Sequence, residues 1–328
     1  MLLWRCVEPY QKDLPMPRNP RLKAEDIEAW YHLCAHAATN HGEFPLARPA
    51  VRHKLLQIIK RYASIYFCEI AVLEIMGNHY HNIIRFDEPR TLSKDELMER
   101  ALALYPKKKK VIECWPEKKW QRLQERLFDV SEFMRNVQGS FATWYNRTFG
   151  RKGHFWGDRF KSALLGGAES VLNAALYVEL NAVRAGLVEC PEDYEGGTLY
   201  LREAGRDKWL LPLSEILHDE KLNAKELHTR FKQLCYYRGA VITKQGQKAI
   251  PEEVIRREKA RGFKKRGAYR KRIRCFTDGL VLGSELYVLA QLTKLRKLGR
   301  YLRRKNPVPQ LGGTIFSLRE QRSHFVEA

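Results

Sequence analysis

The sequence has no Cys-x-x-Cys pair, and its seven cysteines, at positions 6, 34, 68, 114, 190, 235 and 275, are odd in number. This excludes a zinc ribbon or finger and a disulfide framework, and it predicts reduced, mostly structural thiols. No stretch approaches the roughly 18 uninterrupted apolar residues of a membrane span. No basic segment followed by a long apolar one appears near Met1 to Glu8, so no secretory leader is expected. No internal repeat is evident. Negative charge is also scarce: 38 Asp and Glu stand against 59 Lys and Arg, a net charge of +21. That excess favours a polyanionic partner, nucleic acid ahead of an anionic membrane. The expected location is therefore cytoplasmic, in association with the nucleoid.

What is present is enough for a core. Of 328 residues 44% are hydrophobic, sufficient for one large domain or two ordinary ones. Trp30 to Ala37 reads as a first strand. Pro49 to Ala63 reads as an amphipathic helix, with Val51, Leu55, Ile58, Ile59 and Tyr62 recurring at three and four. Ile65 to Ile75 and Tyr80 to Phe86 read as two further strands.

Between them lies Met76-Gly77-Asn78-His79-Tyr80-His81-Asn82-Ile83-Ile84. On a strand, His79 and His81 share one face and Tyr80 takes the other. Such a pair is either two strand histidines bonded to carbonyls or two-thirds of a small divalent-metal site. His32 and His36 also share a strand face, and they read as surface or core histidines.

A hundred residues later comes Tyr177-Val178-Glu179-Leu180-Asn181-Ala182-Val183-Arg184-Ala185-Gly186. Glu169 to Leu180 reads as a helix, and residues four apart lie one turn from each other on it. Tyr177 is then either a half-buried core tyrosine or a phenolic nucleophile. Asn181 offers a neutral carbonyl oxygen beside it.

His-x-His on a strand followed by Tyr-x-x-x-Asn on a helix resembles the single-tyrosine HUH transposases of the IS200/IS605 type, and within them the REP-associated tyrosine transposase branch. That family typically reads Met-Pro-Asn-His-x-His and Tyr-x-x-x-Asn-Pro-Val-Arg-Ala. Here Gly77 and Ala182 stand at the proline positions. The resemblance implies an α+β, ferredoxin-like core: an antiparallel sheet with helices on one side. It implies one divalent ion, Mg²⁺ or Mn²⁺, on His79, His81 and Asn181. It also implies Tyr177 as the nucleophile that cuts single-stranded or hairpin DNA through a 5′-phosphotyrosine link. No second tyrosine sits one turn away, which fits a one-tyrosine enzyme. Two other classes stay open: a catalytically idle DNA- or RNA-binding protein on the same fold, and a metal-dependent nuclease using water.

Candidate DNA contacts cluster in Gly150 to Ser162, where basic residues alternate with aromatics and glycines. Arg and Lys suit phosphates, and rings suit bases. Arg151, Lys152, Trp156, Arg159 and Lys161 are singled out there, with Arg184 beside the Tyr helix. The alternative is a Gly-rich hairpin whose aromatics fill the core. The preceding segment, Ser131 to Phe149, reads as a helix with a wide apolar stripe.

Residues 87–128 read as an insertion, opened by a Ser93–Glu96 capping box and carrying Lys107 to Lys110. That lysine run is either a solvated face or a phosphate contact. Residues 1–200 are thus expected to form the catalytic domain and 201–328 a basic, mainly helical DNA-binding region. From Arg256 to Arg274 there are eleven basic residues and one acidic. A helix-turn-helix over 279–304 is a further reading. The chain reads as a monomer or a homodimer. The sequence leaves open whether Tyr177 meets its own histidines or a partner's.

Overall fold

A computed structural model of the chain describes residues 22–23, 27–40, 42–242, 246–260, 280–297, 306–310 and 313–318. Most of the basic stretch 256–274 and the last residues of the 279–304 segment lie outside them.

Four strands build the centre: β1 (Ala29–His36), β2 (Cys68–Ile75), β3 (His79–Phe86) and β4 (Lys161–Leu165). β1 runs antiparallel to β3 from Ala29 opposite Phe86 to His36 opposite His79. Its other edge pairs antiparallel with β4, and β2 pairs antiparallel with β3. The order β2-β3-β1-β4 is the split β-α-β-β-α-β arrangement of ferredoxin-like folds. The expected α+β class is what the chain forms.

The two crossover helices are α1 (Pro49–Ala63) and, after an insertion, α5 (Val130–Thr148). Pro49 opens α1 with its φ already helical and no N–H to satisfy, and Lys60 and Arg61 close it at the negative end of the helix dipole. Both helices lie on one face, where Leu55, Ile59, Phe133, Val137 and Phe141 meet Tyr31, Leu33, Tyr80 and Ile84. The insertion is helical and packs on the same core: α2 (Lys94–Leu104), α3 (Lys109–Glu113) and α4 (Glu117–Leu127). The Ser93–Glu96 capping box opens α2 as expected. Lys107 to Lys110 are exposed.

The opposite face is covered too, beyond the one-sided layer expected. There α6 (Ala168–Glu179) packs Val171, Ala175 and Val178 on Ala71, Val72, Ile83 and Ala163. A bulge in β2 between Ile70 and Val72 changes the strand's parity. With it, Ile70 and Leu73 enter the first core while Ala71 and Val72 enter the second. Downstream of the bulge, Glu74 comes opposite His81. Bulges recur where a strand must re-aim a side chain near a site.

After α6 come α7 (Asn181–Arg184), α8 (Thr198–Glu203), α9 (Leu213–Leu217), α10 (Ala224–Gly239), α11 (Glu252–Ala260) and α12 (Glu285–Lys297). Asn223 opens α10 with a second capping box. The C-terminal third is not helical throughout. β5 (Val281–Gly283) pairs parallel to β4, β7 (Ile315–Ser317) pairs antiparallel to β5, and β6 (Val308–Gln310) lies outermost, extending the sheet to seven strands among the described residues. Val281 and Leu282 are fully buried and cover the edge that β4 would otherwise present. Pro309 sits on the outermost strand, where no ladder N–H is needed. None of the five described cysteines forms a disulfide. No described helix is long and apolar enough to cross a membrane.

Candidate active site

Alternation along two neighbouring strands places four imidazoles on one face. His36 stands opposite His79 in register, and their rings stack at 5.0 Å. His32 stacks on His81 at 5.1 Å, with His32 Nε2 3.0 Å from His81 Nδ1. His79 and His81 lie edge to face at 5.1 Å. The row runs from exposed His36 down to His32 and His81, 1% and 3% exposed. Residues read from sequence as packing or surface histidines thus join the pair. The signal that finds them is the β1–β3 register.

Burial, with the charge of His36 added, lowers His79 to about 4. His81 lies well below the usual imidazole range, first through burial and then through His32, His79, His36 and Lys161. Both rings are therefore neutral near pH 7, the form that donates a lone pair.

Tyr177 arrives from α6. Its ring is 5.9 Å from that of His81 and 6.1 Å from that of His32, edge-on to both. The tyrosine is 9% exposed. One chain alone brings it to the histidines.

The helix carrying Tyr177 does not run on unbroken to Asn181. It stops at Glu179 and restarts at Asn181, with Leu180 at φ −99° and ψ 0°. The cause is Glu74. Its carboxylate Oε1 accepts the Ala182 N–H at 3.1 Å, an N–H that a continuous helix would give to Val178. Burial raises Glu74 well above the usual carboxylate range, Glu179 raises it further, and the Ala182 and Asn181 bonds oppose both. Glu179, held by the Thr198 hydroxyl at 2.6 Å and the Leu199 N–H at 3.2 Å, is pushed up to about 7 by burial. Glu74 is a site neighbour that sequence reasoning missed, because the β2 bulge decides which way it faces.

Both departures from the family pattern have a physical account. A proline at 182 has no N–H, whereas Ala182 supplies the one Glu74 accepts. A Cβ on Gly77 would lie 2.9 Å from Phe44 Cδ1 and 3.0 Å from Phe44 Cβ, so the Phe44 side chain occupies space that a larger residue needs. We expect Ala182→Pro to cost about 1–3 kcal/mol by orphaning a buried acceptor. In a Glu74→Met background the same proline should cost much less. Urea unfolding of the four chains measures this, and equal costs in both backgrounds would show that the bond contributes nothing.

Which groups could hold a cation depends on the bonds already made. His79 uses Nδ1 toward Asn78 Oδ1 at 2.7 Å, and His81 uses Nδ1 toward His32. In each ring Nε2 is the nitrogen left for a ligand. Bonds of this kind fix ring orientation and tautomer in metal-binding histidines. Among the described residues no three His, Cys, Asp or Glu side chains gather as a metal site, so a third donor has to be of another type. Asn181 lies with its side chain beside the Glu74 carboxylate, yet its buried amide nitrogen closes no hydrogen bond of good geometry. Turned over, that carboxamide presents its oxygen at the same position. Two neutral imidazoles and an amide oxygen suit Mn²⁺ or Mg²⁺.

The proposed DNA contacts divide. Arg151, Lys152, Arg159 and Lys161 are exposed along one segment. Lys161 is in register with Cys34, and its charge lowers both His36 and His81. Trp156 is half-buried: its indole N–H donates to the Gln138 carbonyl at 2.9 Å, and its ring packs against Tyr80, Phe141 and Phe155 at the edge of the core. Arg184 is half-buried, and its guanidinium bonds Gln247 Oε1 and the Arg238 carbonyl, each at 3.3 Å, linking α7 to α10. His154 is exposed.

No family model matches the chain, and no curated protein sequence matches it. Among solved structures, a REP-associated tyrosine transposase bound to a REP hairpin is similar at 16% identity and a TM-score of 0.40. The similarity covers 58% of this chain and 87% of that one.

Proposed function

We propose that this chain cuts single-stranded DNA and transfers the cut strand through a covalent bond to Tyr177. One observation carries the reading: a tyrosine on α6 stands 5.9 Å, ring to ring, from a histidine on β3, about a hundred residues earlier in the chain. A buried tyrosine that only packs does not need a row of four imidazoles beside it.

In this reading the phenol oxygen of Tyr177 attacks the phosphorus of an extended strand. The P–O3′ bond breaks, the phenol proton is given up, and the departing 3′ oxygen takes a proton. The product is a 5′-phosphotyrosine, which a different 3′-hydroxyl reverses in the joining step. A free phenol ionises near pH ~10, so it must be activated. His79 and His81, through Nε2, and Asn181, through its amide oxygen, would hold one Mg²⁺ or Mn²⁺. Bound there, the ion supplies Lewis-acid stabilisation of phosphate charge. His32 keeps the His81 ring turned toward that duty. Glu74 sets the break that positions Asn181. The Lys161 ammonium faces the same row and offsets the charge of the incoming phosphate. The exposed cations of 151–161 and the +21 net charge hold the strand. Hairpin DNA of the REP type is the substrate that the family resemblance suggests.

The test is to incubate the chain with labelled single-stranded hairpin DNA and Mn²⁺, with and without EDTA. A band of protein covalently bound to DNA, absent with EDTA, is expected. Cut products with no covalent band would assign the cutting to water, and a mobility shift without cutting would leave a binding protein.

A further inference from the structure

We infer that a cavity at the open end of the histidine row is a binding site for an unpaired nucleotide of single-stranded DNA next to the cut phosphate. This rests on the function proposed above and adds to it a base-stacking contact, at Phe44, that none of those residues provides.

The cavity has a volume of about 810 Å³, and Asn40, Glu43, Phe44, Arg48, Tyr145 and Arg151 contribute to its wall. That is room for a nucleotide-sized ligand. Its place is fixed by two backbone bonds. Ala37 N–H donates to the Asn78 carbonyl at 2.8 Å, and Leu46 N–H donates to the Gly77 carbonyl at 2.8 Å. The wall therefore hangs from the two residues that precede His79. Ala38, two residues beyond exposed His36, forms part of it. A strand whose phosphate lies at His79 has its next nucleotide at this cavity.

The chemistry of the wall selects the ligand. Arg48 and Arg151 make no ion pair among the described residues. Each guanidinium lies over an aromatic face, that of Phe149 at 5.3 Å and that of Tyr145 at 5.8 Å. The one carboxylate there, Glu43, is occupied by the Asn40 N–H at 3.2 Å and the Asn40 amide at 3.1 Å. Two cations against one bonded carboxylate favour an anion. Phe44 is 57% exposed, an unusual position for a large ring. It is held there by Gly77, whose missing Cβ leaves the space against which Phe44 packs. An exposed ring beside two guanidiniums is the pairing that stacks a base and grips its phosphate. Gly77 is thus what lets Phe44 stand at the rim.

The experiment measures affinity of the full chain for a fluorescein-labelled twelve-nucleotide oligothymidine by anisotropy across a salt series. Phe44→Ala should weaken binding about tenfold, the scale of one lost base–aromatic stack. The pair Arg48→Ser and Arg151→Ser should lower the slope of log K against log salt by about 1.4, from about 0.7 per lost phosphate contact on a single strand. All three side chains are exposed or at the rim, so the variants keep the fold. Wild-type affinity in the first variant together with a wild-type slope in the second would overturn the site. The covalent assay separates the two claims. Loss of binding in these variants when the wild type forms no adduct upholds the cavity and removes the tyrosine chemistry. Adduct formation with unchanged binding in the variants does the reverse.

Discussion

Tyr177→Phe should reduce covalent DNA adduct by at least about a thousandfold while changing DNA affinity less than about twofold. The first half comes from removing the only atom that can become the phosphotyrosine oxygen; loss of a nucleophile removes the step and not merely a fraction of its stabilisation. The second half comes from where binding resides. The exposed cations Arg151, Lys152, Arg159 and Lys161 are spread along one segment, and phosphate contacts of that kind are distributed and insensitive to one buried hydroxyl. Phenylalanine keeps the ring that meets His81 and His32 edge-on, so the packing of α6 is retained. Gel quantification of adduct and anisotropy on the same preparations read the two halves. A large loss of affinity in the variant would mean that Tyr177 holds substrate and does not attack it.

Phe141→Ala should destabilise the chain by about 3–5 kcal/mol, the range for removing a buried aromatic side chain. Phe141 on α5 is fully buried. Its ring meets Phe155 at 5.0 Å, Trp156 at 5.6 Å and Tyr145 at 6.0 Å. Those contacts also seat the segment 150–161 against the end of β1, where Ala38 N–H donates to the Phe155 carbonyl at 2.7 Å and Gly157 N–H to the His36 carbonyl at 3.0 Å. The alanine variant should therefore lose DNA affinity along with stability, although Phe141 touches no solvent. Urea unfolding and anisotropy check both, and a stability loss under about 1 kcal/mol would show that the aromatic cluster closes over the gap.

The same aromatic cluster shows what a sequence can and cannot disclose. The stripe on Ser131 to Phe149 is a periodicity, and so it was legible; α5 runs Val130–Thr148. So were α1, the Ser93 cap and the strand bearing His79 and His81, since each depends on residues close in the chain. Trp156 lies in a composition that suits base stacking, and only the fold shows its N–H committed to Gln138. His32 and His36 escaped for a related reason. Their alternation was visible, but their meaning lies in β1 pairing with β3, strands separated by α1 and β2. Glu74 was hidden by the bulge at Ile70/Val72, because a one-residue change of parity exchanges the faces of every later residue on the strand. The three-residue strands β5, β6 and β7 are too short for any alternation to register. The break at Leu180 comes from a side chain on another strand, which no local pattern records.

The most direct measurement is to react the chain with single-stranded hairpin DNA, digest the DNA and then the protein, and locate the nucleotide mass among the peptides by mass spectrometry. That mass is expected on the tryptic fragment Ser162 to Arg184, which contains Tyr177 as its one tyrosine. Cut DNA with no nucleotide-bearing peptide, or a nucleotide on a tyrosine outside that fragment, would contradict the assignment of Tyr177 as the nucleophile.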